Sequence, residues 1–402
     1  MTDRTEHTIR SWLASEAHAL TTPAELGQRV AAISQTAAPG YLPLSAMRRP
    51  VVMVLAAALI LALILVAALF VASRRHDVPP PLERLAYALN GAIYVANADG
   101  SHPRRITDGI ADPGGQGFRE PRWHANILTF SGDVSDYIVD GTGVSVIGPG
   151  TGSAVSIDPK GSRVATLTDY EVLVDGPGST ALAHLAPPAG YEGWDLSDIG
   201  SFVWMNDNTL LVGACRSLGD ACMKGRGDGH DLFSVRVDGG PLQNITGGGE
   251  AAFNAVASPG GSQIAFLYLP PADRWHWERA ELWVMDRDGA HRRRLPTPNG
   301  PIAFAWSRDG RSIAFTLRMN TTTTITAHDL WVVDVASSSP ARALDDGQFA
   351  SDRASAISWS ADGGQLLLAG SDAAGHAGLY SFDVDTGSRH LLVPGATDGA
   401  WR

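Results

Sequence analysis

Two cysteines and two lysines are all that this 402-residue sequence has of either type. Two cysteines exclude a dense disulfide scaffold and a four-cysteine zinc site. Charged residues make up only 18% of the chain, while Gly and Pro number 44 and 24, which argues against a coiled coil or a disordered chain and for a turn-rich fold. The length admits two or three domains, or one large all-β domain. Positive charge is scarce where the chain is longest. Of a net charge of −11, residues 1–50 carry +1, residues 51–83 balance at zero, and residues 84–402 carry −12. Phosphate contacts need a basic surface, so the main region is a poor non-specific binder of nucleic acid. Lys160 and Lys224 apart, the 29 other basic residues are all Arg, a bias read as compositional rather than mechanistic.

Polar residues are missing altogether from Val51 to Ala72, a run of 22 residues with no charge, amide or hydroxyl. As a helix it reaches about 33 Å, enough to cross a hydrocarbon core. Fourteen of the 22 are Leu, Ile, Val or Phe, worth about 4–8 kcal/mol of insertion free energy. Pro50 stands where a helix tolerates proline. The run begins too late and is too long for a cleaved signal peptide. The reading is a transmembrane helix over 50–73. Arg48 and Arg49 flank one end, Arg74 and Arg75 the other, so the charge rule barely decides orientation. Cys215 and Cys222 lie beyond the run, spaced to close a small loop in an oxidising compartment. The expected topology is therefore N-terminus cytoplasmic and residues 84–402 outside.

Residues 1–49 hold two short helical patterns, Ile9, Trp12, Leu13 and Leu20, then Leu26, Val30 and Ile33. They offer too little apolar surface for a core. Short helical pairs before a single span resemble the layout of membrane-anchored anti-sigma factors. The zinc-binding version needs a His followed by paired Cys, and residues 1–50 contain no Cys. Residues 74–83 include Asp77-Val-Pro-Pro-Pro81, a stiff spacer.

Internal repetition organises residues 84–402. One pattern reads Ala305-Trp-Ser-Arg-Asp-Gly-Arg-Ser-Ile-Ala-Phe315, with copies from Ser358 and Val256 and weaker ones from Val155, Val203 and Arg122. A second follows each: Glu281-Leu-Trp-Val-Met-Asp-Arg-Asp-Gly289, with relatives starting at 92, 231, 329 and 378 and degenerate copies at 136 and 171. The starts are about 48 residues apart, as propeller blades require. Alternation at period 2 predicts strands, and Asp-Gly turns supply the positive φ of tight hairpins. Seven second patterns face six first patterns. The segment from Gly395 to Arg402 looks like the missing first pattern, so Trp401 is expected on the sheet that contains Tyr94, closing the ring. The prediction is an all-β, seven-bladed β-propeller, six blades being the alternative. These repeats resemble the TolB-like, WD-repeat-like propellers of bacterial envelope proteins. That resemblance implies the fold over 84–402 and leaves function open.

Linear catalytic motifs are absent: no Gly-x-Ser-x-Gly, no phosphate-binding Gly-x-x-x-x-Gly-Lys, no His-Glu-x-x-His. The paired acids Asp286/Asp288 and Asp383/Asp385 read as turns rather than calcium ligands. No cofactor or metal is expected. The insert Pro270–Arg279 sets Arg274, Trp275, His276 and Trp277 together, a candidate ligand or partner patch, since Trp and Arg favour interfaces. The alternative is that both Trp pack on their own blade. Arg226-Gly-Asp228 is read as chance, and Asn320–Thr324 as a loop tip. The leading expectation is a single-pass membrane protein whose extracytoplasmic propeller is a non-enzymatic module binding an envelope protein, peptide or glycan. The alternatives are a transmembrane signalling protein with a propeller sensor, and an enzyme with a central-pocket active site.

Overall fold

The computed structural model describes residues 84–402 except 109–113, 116, 134, 141–142, 150–152, 169–170, 177–178, 185–200, 216–229, 239, 248–250, 274–275, 318–328, 346 and 352–355. The apolar run 51–72, the helical patterns before it and the proline spacer lie outside the described residues. Contacts divide the chain between Pro79 and Pro80. Among the described residues no helix is long and apolar enough to cross a membrane.

Strands form where the repeats alternate, and they assemble into seven antiparallel sheets in chain order. The sixth sheet shows the plan: Pro301–Trp306 is innermost, then Ser312–Leu317, Leu330–Asp334 and the outer Arg342–Ala343. The first pattern supplies the innermost strand, its turn and the second strand; the second pattern supplies the third strand. The third strands Ala92–Asn97, Ser135–Asp140, Glu171–Gly176, His230–Arg236, Glu281–Asp286, Leu330–Asp334 and Ala377–Asp383 number seven, so the propeller has seven blades. The first sheet is built from both ends of the domain: Asp398–Trp401 pairs with Arg84–Leu89, which pairs with Ala92–Asn97. Trp401 lies opposite Leu85, and Tyr94 stacks on Tyr87 at 5.3 Å in the same sheet.

Second and third strands are buried on both faces because each blade is covered by two neighbours. Ile313, Ala314 and Phe315 are all at 0% exposure. Phe130, Phe233, Phe266, Phe315 and Phe382, all on such strands, are the largest fully buried side chains, each worth about 1.5–3 kcal/mol of burial. One apolar cluster runs unbroken from Ala165 and Leu167 in the third blade to Phe315 and Val333 in the sixth.

Two kinds of contact join blade to blade. Trp Nε1 on an innermost strand donates to the preceding innermost strand: Trp204 to Ser156 O, Trp306 to Val256 O, Trp359 to Ala305 O, each 3.1 Å. Trp401 differs, donating instead to Ala98 O in its own blade (3.0 Å), while its N–H meets Ser358 Oγ of the seventh (3.0 Å). Secondly, the acidic-Gly turns dock on the preceding blade. A Cβ on Gly289 would stand 2.1 Å from Ile245 O, and one on Gly387 2.3 Å from Leu344 O, at φ +86° and +72° respectively. Glycine is required there for both the left-handed turn and the close approach.

Candidate functional site at the upper face

Antiparallel strands put alternate turns at opposite ends of every blade. We call upper the end where innermost strands begin; Asp398 there lies opposite Ala88, beside the Leu89–Ala92 turn. Connections from second to third strand leave from this end. All three inserts singled out in sequence are such connections, bounded by Cys215 and His230, Leu269 and Glu281, and Leu317 and Leu330.

Buried ionisable groups concentrate here. Among the described residues six Asp or His side chains are buried, and five of them, His230, Asp231, Asp329, Asp345 and Asp398, are at the upper end; Asp158 is at the lower. Asp231 accepts the Thr246 hydroxyl at 2.7 Å. Asp345 accepts the Asp329 N–H at 2.7 Å, and Asp329 accepts the Ser351 N–H of the seventh blade at 3.1 Å. Burial, with the Asp345 charge adding, raises the Asp329 carboxyl above the usual carboxylate range against the Ser351 hydrogen bonds.

Asp398 occupies the most exceptional position. It begins the innermost strand of the first blade, which packs on those of the second and seventh. Its side chain is buried, at 5% exposure, and accepts the N–H of Gly399 at 2.8 Å and that of Ala356. Burial pushes its carboxyl up to about 7; the two N–H donors and Arg122 pull it down, and Glu120 pushes it further up. Arg122 and Glu120 come from the second-blade innermost strand Arg119–His124 and lie 3.3 Å apart. Arg122 is 59% exposed and so reaches solvent. Glu120 sits at φ +52°, where the register of this strand shifts between Arg119 and Arg122. A non-glycine residue held left-handed in a bulge re-aims its neighbours, and such strain gathers at functional sites. His124, on the same strand, is held down to about 4 by burial and the Arg122 charge, so it is neutral at pH 7. The cluster therefore offers an exposed guanidinium and a buried carboxyl that exchanges its proton near neutrality, the equipment for holding an anion or moving a proton. No group of three or more metal-ligating side chains lies together among the described residues.

The residues singled out in sequence do not join this cluster as described. Cys215 ends the strand Thr209–Cys215; Cys222 lies outside the described residues, and the disulfide with it. Arg274 and Trp275 also lie outside. His276 is exposed and bonded to Glu278 at 2.8 Å, and Trp277 opens a short 3-10 turn, Trp277–Arg279. Sequence reading missed Asp398, Arg122 and Glu120. Their only signal was Arg119-Glu-Pro-Arg122, three charges ahead of Trp123 where the four residues ahead of Trp306 and of Trp359 carry none.

No known family model matches the chain, and no curated protein is similar to it in sequence. Solved structures are similar in fold. TolB from Acinetobacter baumannii aligns over 81% of this chain and 68% of its own, at 16% identity and a TM-score of 0.47. An oligogalacturonate lyase from Vibrio parahaemolyticus aligns over 67% of this chain and 74% of its own, at 14% identity and a TM-score of 0.51. The propeller domain of the trilobed protease from Pyrococcus furiosus aligns over 77% and 93%, at 12% identity and a TM-score of 0.50. That domain has an open velcro topology, whereas here Asp398–Trp401 zips onto Arg84–Leu89. The propeller fold that the repeats predict is shared with the lyase and the protease domain.

The lyase corrects one expectation. The chain was expected to be no enzyme because linear catalytic motifs are missing; an enzyme carries this same fold, so that inference fails. The physical reason is that a propeller assembles a site from several blades, and side chains so gathered have no fixed spacing in sequence.

Proposed function

We propose that this chain is a single-pass membrane protein that holds its propeller outside the cytoplasm and binds a cell-envelope ligand at the upper face. The observation that carries the binding site is Asp398, a buried carboxyl on the innermost strand beside the exposed Arg122 and the strained Glu120. The apolar run 51–72 and the proline spacer support the anchor. A test of placement uses Arg311→Cys, since Arg311 is 84% exposed, in a background with Cys215 and Cys222 replaced by Ser. Labelling by an impermeant thiol reagent on intact cells supports the reading; labelling only after permeabilisation sinks it. A test of the site compares binding of envelope glycan and peptide fractions to the full chain and to Arg122→Gln. Equal binding by both would exclude the upper face.

A second reading is favoured by the proton affinity of Asp398, poised near neutrality: an enzyme using it for proton transfer. Turnover of envelope glycans or peptides that vanishes in Asp398→Asn while binding persists would establish it. Turnover unchanged in that variant, or none in the parent chain, would discard it.

A further inference from the structure

The junction after the fifth blade departs from those after the first, fourth and sixth. In the first and fourth blades a Thr stands two residues past the outer strand, and its hydroxyl accepts a third-strand N–H: Thr107 from Ile93 (3.3 Å), Thr246 from Leu232 (3.0 Å). In the sixth, Asp345 does the same for Asp329. In the fifth blade Pro296 is inserted between Leu295 and Thr297. Thr297 is 7% exposed and its hydroxyl has no partner, a cost that the other junctions avoid. The inserted residue turns its carbonyl to the Ala341 N–H of the sixth blade (2.9 Å), and the Arg293 guanidinium donates to Val335 O of that blade. A cavity of about 490 Å³ opens between the outer strand of the fifth blade and the turn Ala336–Ser338.

Of the two cations and two anions around this groove, Arg293 is the cation that forms no ion pair among the described residues. Arg294 meets Glu281 at 3.0 Å and Asn299 at 2.7 Å. Asp334 directs one oxygen to the N–H groups of Ala336 and Ser337 (2.8 and 3.0 Å). Arg293, half-buried, has only the neutral carbonyl of Val335 among the described residues. Most of its five N–H donors remain unused, and a partly desolvated guanidinium favours a carboxylate. Ser337, whose hydroxyl accepts the Ser339 N–H at 2.9 Å, and Ser338 line the same groove, and Leu295, Pro296 and Ala336 add apolar surface. We propose that this groove binds a small organic acid, its carboxylate on Arg293 and the two serine hydroxyls, its apolar body on Leu295, Pro296 and Ala336. The site is on the outer rim, separate from the upper-face cluster, and does not depend on it.

The test is titration calorimetry of the full chain in lipid nanodiscs, with benzoate as the probe, benzamide as its uncharged isostere, inorganic phosphate as a second anion and empty discs as the blank. Arg342 makes the same kind of staple to Val384 O at the next junction, so Arg342→Gln is the matched control for lost packing. Benzoate should bind, Arg293→Gln should weaken it about tenfold or more, and Arg342→Gln should leave it unchanged. Equal losses in the two variants, benzamide binding as well as benzoate, phosphate binding more tightly than benzoate, or no benzoate heat at all would each overturn the proposal. Should Arg293→Gln fail to fold, Ala336→Asp sets a carboxylate beside the guanidinium; benzoate binding must then disappear, and its persistence refutes the site.

Discussion

The two ends of the propeller treat the same residue type in opposite ways. At the lower end aspartates close turns; Asp309, Asp362 and Asp238 are exposed, and Asp158 is buried but fully bonded. Asp309 accepts the Ser307 hydroxyl (2.6 Å) and the Arg311 N–H (3.0 Å), and Asp362 repeats this with Ser360 and Gly364 (2.6 and 2.9 Å). Those hydrogen bonds hold both carboxyls below the usual range. Asp238 is brought down to about 2 by Arg236. At the upper end Asp329 and Asp398 are buried and shifted upward. The lower end is thus built for geometry, with its acids satisfied by neighbouring turn residues, the buried Asp158 included. The upper end keeps groups that are costly to bury, and a fold keeps such groups where function uses them.

Substitutions can break this contrast, starting with the greatest loss. Trp401→Ala removes the tryptophan that ends the closing strand, together with its bond to Ala98 O. Stability should fall by about 3–5 kcal/mol, read by chemical denaturation; a loss below about 1 kcal/mol would mean that the lower end does not hold the ring. Next comes Asp398→Asn. A carboxyl raised in the folded state stabilises most below its unfolded value, near 4, and that contribution is lost as pH rises to about 7. The parent chain should lose on the order of 4 kcal/mol across this window through Asp398, and the Asn variant should not. Identical pH profiles would place the carboxyl in water. Smallest is Asp309→Ala at the lower end. Its depressed carboxyl contributes above its unfolded value and loses that contribution as pH falls through the folded one. The side chain is 60% exposed, so screening keeps the effect below about 1 kcal/mol. A larger effect would erase the distinction between the ends.

The architecture was legible because its determinants are local and repeated. Glu281-Leu-Trp-Val-Met-Asp and its relatives carry strand alternation, and Gly289 and Gly387 carry a turn that no other residue fits. Even the poor copies at 136 and 171 fall on third strands, Ser135–Asp140 and Glu171–Gly176. The upper-face site was not legible. The tail that holds Asp398 reads as a ring-closing strand with no sign of a site, and Asp398 meets Arg122 only because the ring brings the end of the domain back beside its beginning. Likewise Pro296 is a single added residue, invisible until Thr297 is compared with Thr107 and Thr246 in space.

The closing strand also sets an order of events in biogenesis. The bond from Trp401 to Ala98 spans 303 residues, so Arg84–Leu89, the first strand among the described residues, lacks its inner partner until nearly the whole propeller exists. Contacts this distant form slowly, and an open strand edge invites pairing with other chains meanwhile. Nascent propellers of this kind would need shielding, by a chaperone or by rapid export, for as long as the first blade waits.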